Sequence, residues 1–262
     1  MSTCQDTNLD DEALLRYSRH ILLDEWGVAG QERVVNAHAL IIGAGGLGCP
    51  AALFLASAGV GTITIADDDR VDLTNLQRQI AHQTASVGEL KVQSLERRMH
   101  AINPRITVNQ IAERLDGDAL ADAVAAADVV LDCSDRFATR HLINRACVAA
   151  KKPLVSGAAI RFDGQVSVFD PRLDTSPCYH CVYPETKDFE ETACAEMGVF
   201  APLVGIVGSL QAAEALKLLA NIDGAETLCG RLLTIDAKTM EVTTLRVKRD
   251  AHCCVCGTVD GV

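Results

Sequence analysis

The chain has 262 residues and a formal net charge of −11 at pH 7, with 48% hydrophobic but only 4% aromatic residues. That length suits one large α/β domain, and a core of Ala, Val, Leu and Ile suits helices packed on a mostly parallel sheet. The acidic balance argues against nucleic acid or an anionic membrane as the main partner. The polar, acidic start, Met1 to Glu12, is unlike a signal peptide, so a cytoplasmic protein is expected.

In chain order, helical spacing over Asp11–Leu23 predicts an amino-terminal helix laid across the domain. A strand–helix–strand unit follows over residues 38–67. It comprises the apolar run Ala39–Ile42, the turn Gly43-Ala44-Gly45-Gly46-Leu47-Gly48, a helix through Ala51–Ala56, and the run Ile63–Ala66. Asp68–Val87 reads as irregular and Gly88–Ile102 as a helix, which Asn103-Pro104 stops. Ile106–Ile111 reads as a strand and Asp118–Ala126 as a helix capped by Asp118. The buried strand Val129–Leu131 leads into Asp132-Cys133-Ser134-Asp135. Then come a helix over Ala138–Ala150 and a strand at Leu154-Val155. Gln165–Phe169, Leu232–Ile235 and Val242–Val247 read as antiparallel strands. Between them lie an interrupted segment, 171–202, and a strong helix, Leu203–Ala220. The uncharged stretch Val199–Ala213 is too short to span a bilayer and reads as part of a buried helix. The expected architecture is Rossmann-like α/β with an antiparallel extension.

The glycine turn carries the first functional signal. A strand ending in such a turn and opening a helix aims backbone N–H groups and a helix dipole at phosphate oxygens. Asp67 closes the second run 24 positions after Gly43, where a carboxylate accepts hydrogen bonds from ribose. Taken alone, these features also fit a nicotinamide-dependent oxidoreductase. The polar run from Asp67 through Asn75-Leu76-Gln77-Arg78-Gln79 favours ATP, because a triphosphate needs Arg and Lys donors and a carboxylate for magnesium. Arg78 and Lys91 supply donors. Asp135 lies at the carboxyl end of a parallel strand, where ligands bind in open α/β sheets.

With Arg16-Tyr17-Ser18-Arg19, Asn75–Gln79, Asp132–Asp135, Ser156-Gly157-Ala158-Ala159, Ala201–Gly205 and Cys256-Gly257 added, the sequence resembles the MoeB/ThiF family of sulfur-carrier adenylyltransferases. These are related to ubiquitin-activating enzymes. The resemblance runs through nearly the whole chain. It implies a single domain over 1–262, with a nucleotide-binding part at about 1–157 and a carrier-binding, zinc-bearing part at about 158–262. It implies that Gly43, Gly45, Gly46 and Gly48 form the phosphate turn and Asp67 binds the ribose. Asn75, Arg78 and Lys91 would contact phosphates, Arg19 would reach the triphosphate from the amino-terminal helix across a homodimer interface, and Asp135 would hold Mg²⁺. Asp132 is expected to act as a strand-end hydrogen-bond partner. The family commonly has Asn where this chain has Arg136, a cation that would either pair with Asp135 or touch a phosphate.

The implied reaction is ATP-dependent adenylation of the Gly-Gly carboxylate of a small ubiquitin-like sulfur carrier. Val155–Arg161 looks MoeB-like, favouring a MoaD-like carrier and molybdopterin synthesis. Ala66-Asp67-Asp68-Asp69 looks ThiF-like, which keeps open a ThiS-like carrier and thiamin thiazole synthesis. No rhodanese-type domain is recognisable, so a separate sulfur donor protein is expected. A non-catalytic scaffold for ubiquitin-like proteins remains a further alternative.

Among 11 cysteines, Cys49, Cys133 and Cys147 fall on expected core faces, while Cys4 and Cys229 carry no pattern and fall in expected flexible or surface segments. Cys178-x-x-Cys181 and Cys253-x-x-Cys256 form two knuckles suited to one structural Zn²⁺. Cys254 leaves the second knuckle ambiguous, and His180 and His252 are expected to be bystanders. Cys194 lies in an acidic stretch expected to be a loop. The resemblance makes it a candidate for covalent linkage to the carrier during sulfur transfer, against the alternative of an inert surface thiol.

Overall fold

The computed structural model describes residues 9–185, 198–222 and 224–257. Its framework is one eight-stranded sheet in the order β3-β2-β1-β4-β5-β6-β7-β8. β1 (His38–Ile42), β2 (Thr62–Ala66), β3 (Thr107–Ile111), β4 (Val129–Asp132) and the start of β5 (Leu154–Ile160) run parallel. β1, β2 and β4 are buried almost throughout, as strands covered on both faces must be. β6 (Asp163–Phe169), β7 (Arg231–Asp236) and β8 (Glu241–Arg246) then add antiparallel, as the alternating patterns predict.

Helices cover both faces. One layer holds α3 (Gly27–Val35), α4 (Gly48–Ala58), α5 (Lys91–Ile102) and α9 (Ala201–Ala220). The other holds α6 (Gly117–Ala126), α7 (Phe137–Ala150) and the short α8 (Tyr179–Val182). The order in which strands are added therefore reverses between β1 and β4, and open α/β sheets bind ligands at such a switch point.

Among the described residues, α9 is long and apolar enough to cross a membrane. It is a core helix here. It packs on α3, α4, β5 and β6, and its two polar core residues are paired with the backbone. Gln211 Nε2 donates to the Asp132 carbonyl at 2.7 Å, and Glu214 Oε2 accepts from the Leu228 amide at 2.7 Å. Satisfied in this way, both side chains stay buried at little cost.

The amino end departs from expectation. The single predicted helix is two short ones, α1 (Asp11–Arg16) and α2 (Ser18–Ile21), broken at Tyr17. Tyr17 is buried against Gly59, where a Cβ would strike its ring, and its hydroxyl accepts from Asn103 Nδ2 at 2.9 Å. That tertiary anchor overrides the helical period. α3 was not legible because Gly27 and Gly30 interrupt its pattern, and Gly30 is needed where the Trp26 ring packs. α6 starts one residue earlier than expected, with Asp116 at the N-cap position and Asp118 inside the first turn. β5 and β6 also extend further, forming one continuous hairpin. Cys229 is half-buried and tied to the sheet, its thiol 3.2 Å from Ser176 Oγ, rather than in a free surface segment.

Tight backbone approach sets the position of α4. A Cβ on Gly48 would fall inside the van der Waals radius of the Gly43 carbonyl oxygen, whereas one on Gly205 of α9 meets nothing within 4 Å among the described residues. Gly48→Ala is therefore expected to lower the melting temperature by about 5 °C or more, and Gly205→Ala to leave it unchanged or raise it slightly. Thermal unfolding followed by circular dichroism checks both.

Candidate functional site

A cavity of about 740 Å³ opens above the carboxyl ends of the parallel strands. Its floor is the turn between β1 and α4. Gly43 has φ +102°, and a Cβ there would sit 2.6 Å from the Cys133 carbonyl oxygen, so only glycine lets β1 and β4 approach this closely. Gly46 faces Val204 of α9, at 3.0 Å from a would-be Cβ. No side chain caps α4; the Cys49 amide bonds the Gly45 carbonyl at 2.9 Å and Pro50 has no N–H, so it is the amides ahead of Cys49 that are left for an anionic partner. Gly43, Gly45 and Gly46 line the cavity, and Gly48 is buried beneath them.

Asp67 stands beside this turn at the end of β2. Its Oδ2 accepts from the Ala44 amide at 2.6 Å and its Oδ1 from the Asp69 amide at 2.9 Å. Burial pushes its carboxyl above the usual range, and Lys91 and the two amides pull the other way. Lys91, the first residue of α5, is almost fully buried, with Nζ 2.6 Å from Asp69 Oδ2. An ammonium group at the positive end of a helix dipole is unfavourable without local negative charge. Asp67 and Asp69 provide that charge.

Arg78 lines the cavity and donates through Nη1 to the Thr74 carbonyl at 3.2 Å. Asn75 does not line it; its Oδ1 accepts from the Asp72 amide at 3.2 Å and so holds the turn that carries Arg78. Arg19 is exposed on α2 and does not line the cavity of its own chain. Asp135 and Arg136 lie on the opposite wall, both exposed, and no ion pair joins them among the described residues. Cys194 lies outside the described residues.

Asp132 is fully buried. Its Oδ1 accepts from the Ser134 amide at 3.1 Å and hydroxyl at 2.6 Å, and its Oδ2 accepts from Ser156 Oγ at 3.1 Å. It shapes the strand end instead of facing the cavity.

Several site residues were missed from sequence. Arg140, buried on α7, donates to the Gly157 carbonyl at 2.8 Å and the Ser134 carbonyl at 2.6 Å, bracing the loop that carries Asp135. His82 holds the glycine turn from behind, Nε2 lying 3.0 Å from the Ala44 carbonyl and Nδ1 3.0 Å from Ser94 Oγ. Burial lowers its pKa, which keeps the ring neutral so that it can donate from Nε2 and accept at Nδ1. Arg114, Tyr179 and Tyr183 also line the cavity. Nothing in the sequence signalled these residues; the buried amide of Gln211, which had to find partners, pointed only to the backbone at the ends of β4 and β5.

The arrangement suits an anionic, elongated ligand. The lining combines the cations Arg78, Lys91, Arg114, Arg136 and Arg140 with the acids Asp67–Asp69, Glu113 and Asp135, and the β5–β6 hairpin contributes Ala158, Ala159, Ile160 and Gln165. The ThiF family model matches residues 17–256 of this chain.

The chain belongs to the ThiF family.

It is 47% identical over 249 residues to the sulfur carrier protein ThiS adenylyltransferase of Escherichia coli, covering 95% of this chain and 97% of that one. It is 45% identical over 251 residues to the molybdopterin-synthase adenylyltransferase of Salmonella typhimurium, covering 95% and 98%. Among solved structures it resembles E. coli MccB with ATP, with a TM-score of 0.77 and 25% identity, covering 92% of this chain and 74% of that one. The protein is an adenylyltransferase, which removes the oxidoreductase and scaffold readings.

Away from the cavity, the two cysteine knuckles meet. Cys178, Cys181, Cys253 and Cys256 bring four sulfur atoms within 4.8 Å of one another. Sγ···Sγ distances are 3.9 Å for Cys178–Cys181, 3.7 Å for Cys178–Cys253 and 3.4 Å for Cys181–Cys256. A tetrahedral site with Zn–S bonds of about 2.3 Å has edges of about 3.8 Å, so the cluster fits zinc. Cys254 is not in the cluster; its Sγ lies 3.3 Å from His180 Nε2. The Asp250 amide donates to Cys181 Sγ at 3.4 Å, and Asn144 Nδ2 to Cys178 Sγ at 3.6 Å, both of which favour thiolates. The cluster ties residues 250–257 to α8. Cys253→Ser is expected to remove bound zinc and lower the melting temperature by about 5 °C or more. Elemental analysis and calorimetry check this; unchanged stability with the metal gone would contradict it.

Proposed function

We propose that the protein adenylates the carboxyl terminus of a small ubiquitin-like sulfur carrier ending in Gly-Gly, using ATP and Mg²⁺. The observation that carries this reading is the convergence, on one cavity, of an uncapped helix terminus, the ribose-type acid Asp67, the cations Arg78 and Lys91, and Asp135 opposite them. Two relatives of similar length are named for this reaction class, one for ThiS and one for molybdopterin synthase.

In this reading the ribose hydroxyls donate to Asp67 and the phosphates lie over the amides of Gly45–Gly48. Lys91 turns part of its charge from Asp69 to the phosphates. Asn75, which holds the Arg78 turn, contributes its Nδ2. Asp135 is the residue to hold Mg²⁺, which supplies positive charge beside the phosphates. A carboxylate oxygen of the tail attacks the α-phosphorus, and the bond from that phosphorus to the bridging oxygen breaks. Pyrophosphate leaves with the electron pair. The carboxylate is already ionised at neutral pH, so no side chain need take a proton. Catalysis rests on alignment and on cations facing the leaving group. Arg136, unpaired with Asp135 among the described residues, joins the phosphate-facing cations.

The half at about 1–157 holds nucleotide, and the half at about 158–262 holds carrier and zinc. The tail enters along the β5–β6 hairpin, where a second concavity continues between β6 and β7 past Gly164 and Thr234. Arg19 serves the cavity of a second copy in a homodimer. Its neighbours Leu15 and Leu22 are 77% and 70% exposed, an apolar surface suited to such an interface. Cys194 is the candidate for covalent linkage to the carrier, with sulfur delivered by a separate donor protein. ATP use and a thiolate metal site fit the reducing cytoplasm. The Val155–Arg161 stretch makes a MoaD-like carrier the first choice, and the Ala66–Asp69 stretch keeps a ThiS-like carrier as the second.

One experiment addresses both carriers. The protein is mixed with each carrier type, ATP and Mg²⁺, and intact mass is read for the gain of one AMP group, alongside carrier-dependent pyrophosphate exchange. A MoaD-like carrier should be adenylated in preference. Arg78→Ala and Asp135→Ala should lower exchange by at least about a hundredfold without unfolding the protein. Wild-type exchange in either variant would discard these assignments, and adenylation of neither carrier would discard the function.

A further inference from the structure

Behind the thiolate cluster, a second set of metal-type donors meets outside the nucleotide cavity. His141 of α7 is 0% exposed, and neither of its ring nitrogens has a hydrogen-bond partner among the described residues. His180 of α8 has a buried Nδ1 in the same condition. One donor atom from each imidazole and one carboxylate oxygen of Glu185 all lie within 4.8 Å of one another. The two rings stand 5.4 Å apart at 73°.

Buried polar atoms are almost always paired, so three unpartnered ring nitrogens, in rings that each bring one nitrogen close to a carboxylate oxygen, call for a missing partner. The His141 ring has little freedom to find another. Phe137 packs on it edge-on at 4.4 Å and Tyr179 at 5.1 Å. The surrounding contacts also leave the correct atoms open. Cys254 Sγ lies 3.3 Å from His180 Nε2, so a proton on Nε2 leaves the Nδ1 lone pair facing inward. Arg145 Nη1 donates to Glu185 Oε2 at 2.9 Å, which holds the carboxylate in place while leaving it further lone pairs for an ion. Such outer contacts are those that orient metal ligands.

We propose that His141, His180 and Glu185 bind a late divalent transition ion such as Zn²⁺, at a site separate from the four cysteines. Two neutral imidazoles and one carboxylate are donors of the borderline class that zinc and cobalt favour, and water completes the coordination. The ion joins α7, α8 and Glu185, the last of which precedes the stretch leading to Cys194. Nothing in this assignment rests on the adenylation reading.

The test uses the full chain with its cysteine site already loaded with zinc, titrated with Co²⁺. One equivalent should bind with the weak visible bands of nitrogen and oxygen ligands, and without sulfur-to-cobalt charge transfer. His141→Gln and Glu185→Ala should each weaken that binding by about tenfold to a hundredfold or more while retaining zinc on the cysteines. Glu185 is partly exposed, so its variant keeps the test open if His141→Gln fails to fold. Absence of a second ion, as a buried water bridging the two rings would give, overturns the proposal. So does binding that is equal in wild type and Glu185→Ala, or that appears only with a charge-transfer band.

Discussion

No side chain caps the start of α4, and the turn before it brings backbone so close at Gly43 and Gly48 that neither position has room for a Cβ. That unmet demand for negative charge governs the surroundings. Asp67 meets part of it by clasping the Ala44 amide, and it lies deep enough that its own ionisation is disfavoured. Lys91 offsets that cost, and it in turn needs Asp69 because it begins a helix. The result is a set of charges balanced without ligand and able to re-pair around an anion.

Rigid packing behind the turn makes this balance usable. His82 braces the turn from α5's side, Arg140 braces the Asp135 loop, and Gln211 bridges the ends of β4 and β5 from α9. Each of these polar groups is buried and paired with backbone carbonyls, so the cavity walls are held by hydrogen bonds as well as by apolar contact. The antiparallel strands extend the same sheet beyond the cavity, and the cysteine cluster fastens the carboxyl-terminal segment to the knuckle helix. The cluster adjoins the cavity through α8, whose Tyr179 lines it.

Much of this was legible in the residues. The runs Ala39–Ile42 and Val129–Leu131 are apolar enough to require burial on both faces, and the glycines between β1 and α4 mark the switch point. The two cysteine pairs declare a metal site because thiolates at that spacing have few other uses. What escaped depended on tertiary contact. Tyr17 breaks the first helix because it packs on Gly59, a residue far along the chain. α3 is hidden by Gly27 and Gly30, of which Gly30 packs against the Trp26 ring. Arg140 and His82 look like ordinary helix and loop residues until the fold places backbone carbonyls beside them. Arg19 was expected to reach the cavity of a second copy, and it does not line the cavity of its own chain.

The central claim is that the crevice above the glycine turn receives a whole triphosphate. A crystal structure of the protein soaked with a non-hydrolysable ATP analogue and Mg²⁺ tests it most directly. The account predicts ribose hydroxyls on Asp67, phosphate oxygens on the amides that open α4, and Arg78 and Lys91 turned onto the β- and γ-phosphates. An empty crevice, or a nucleotide bound with both cations pointing elsewhere, would contradict it.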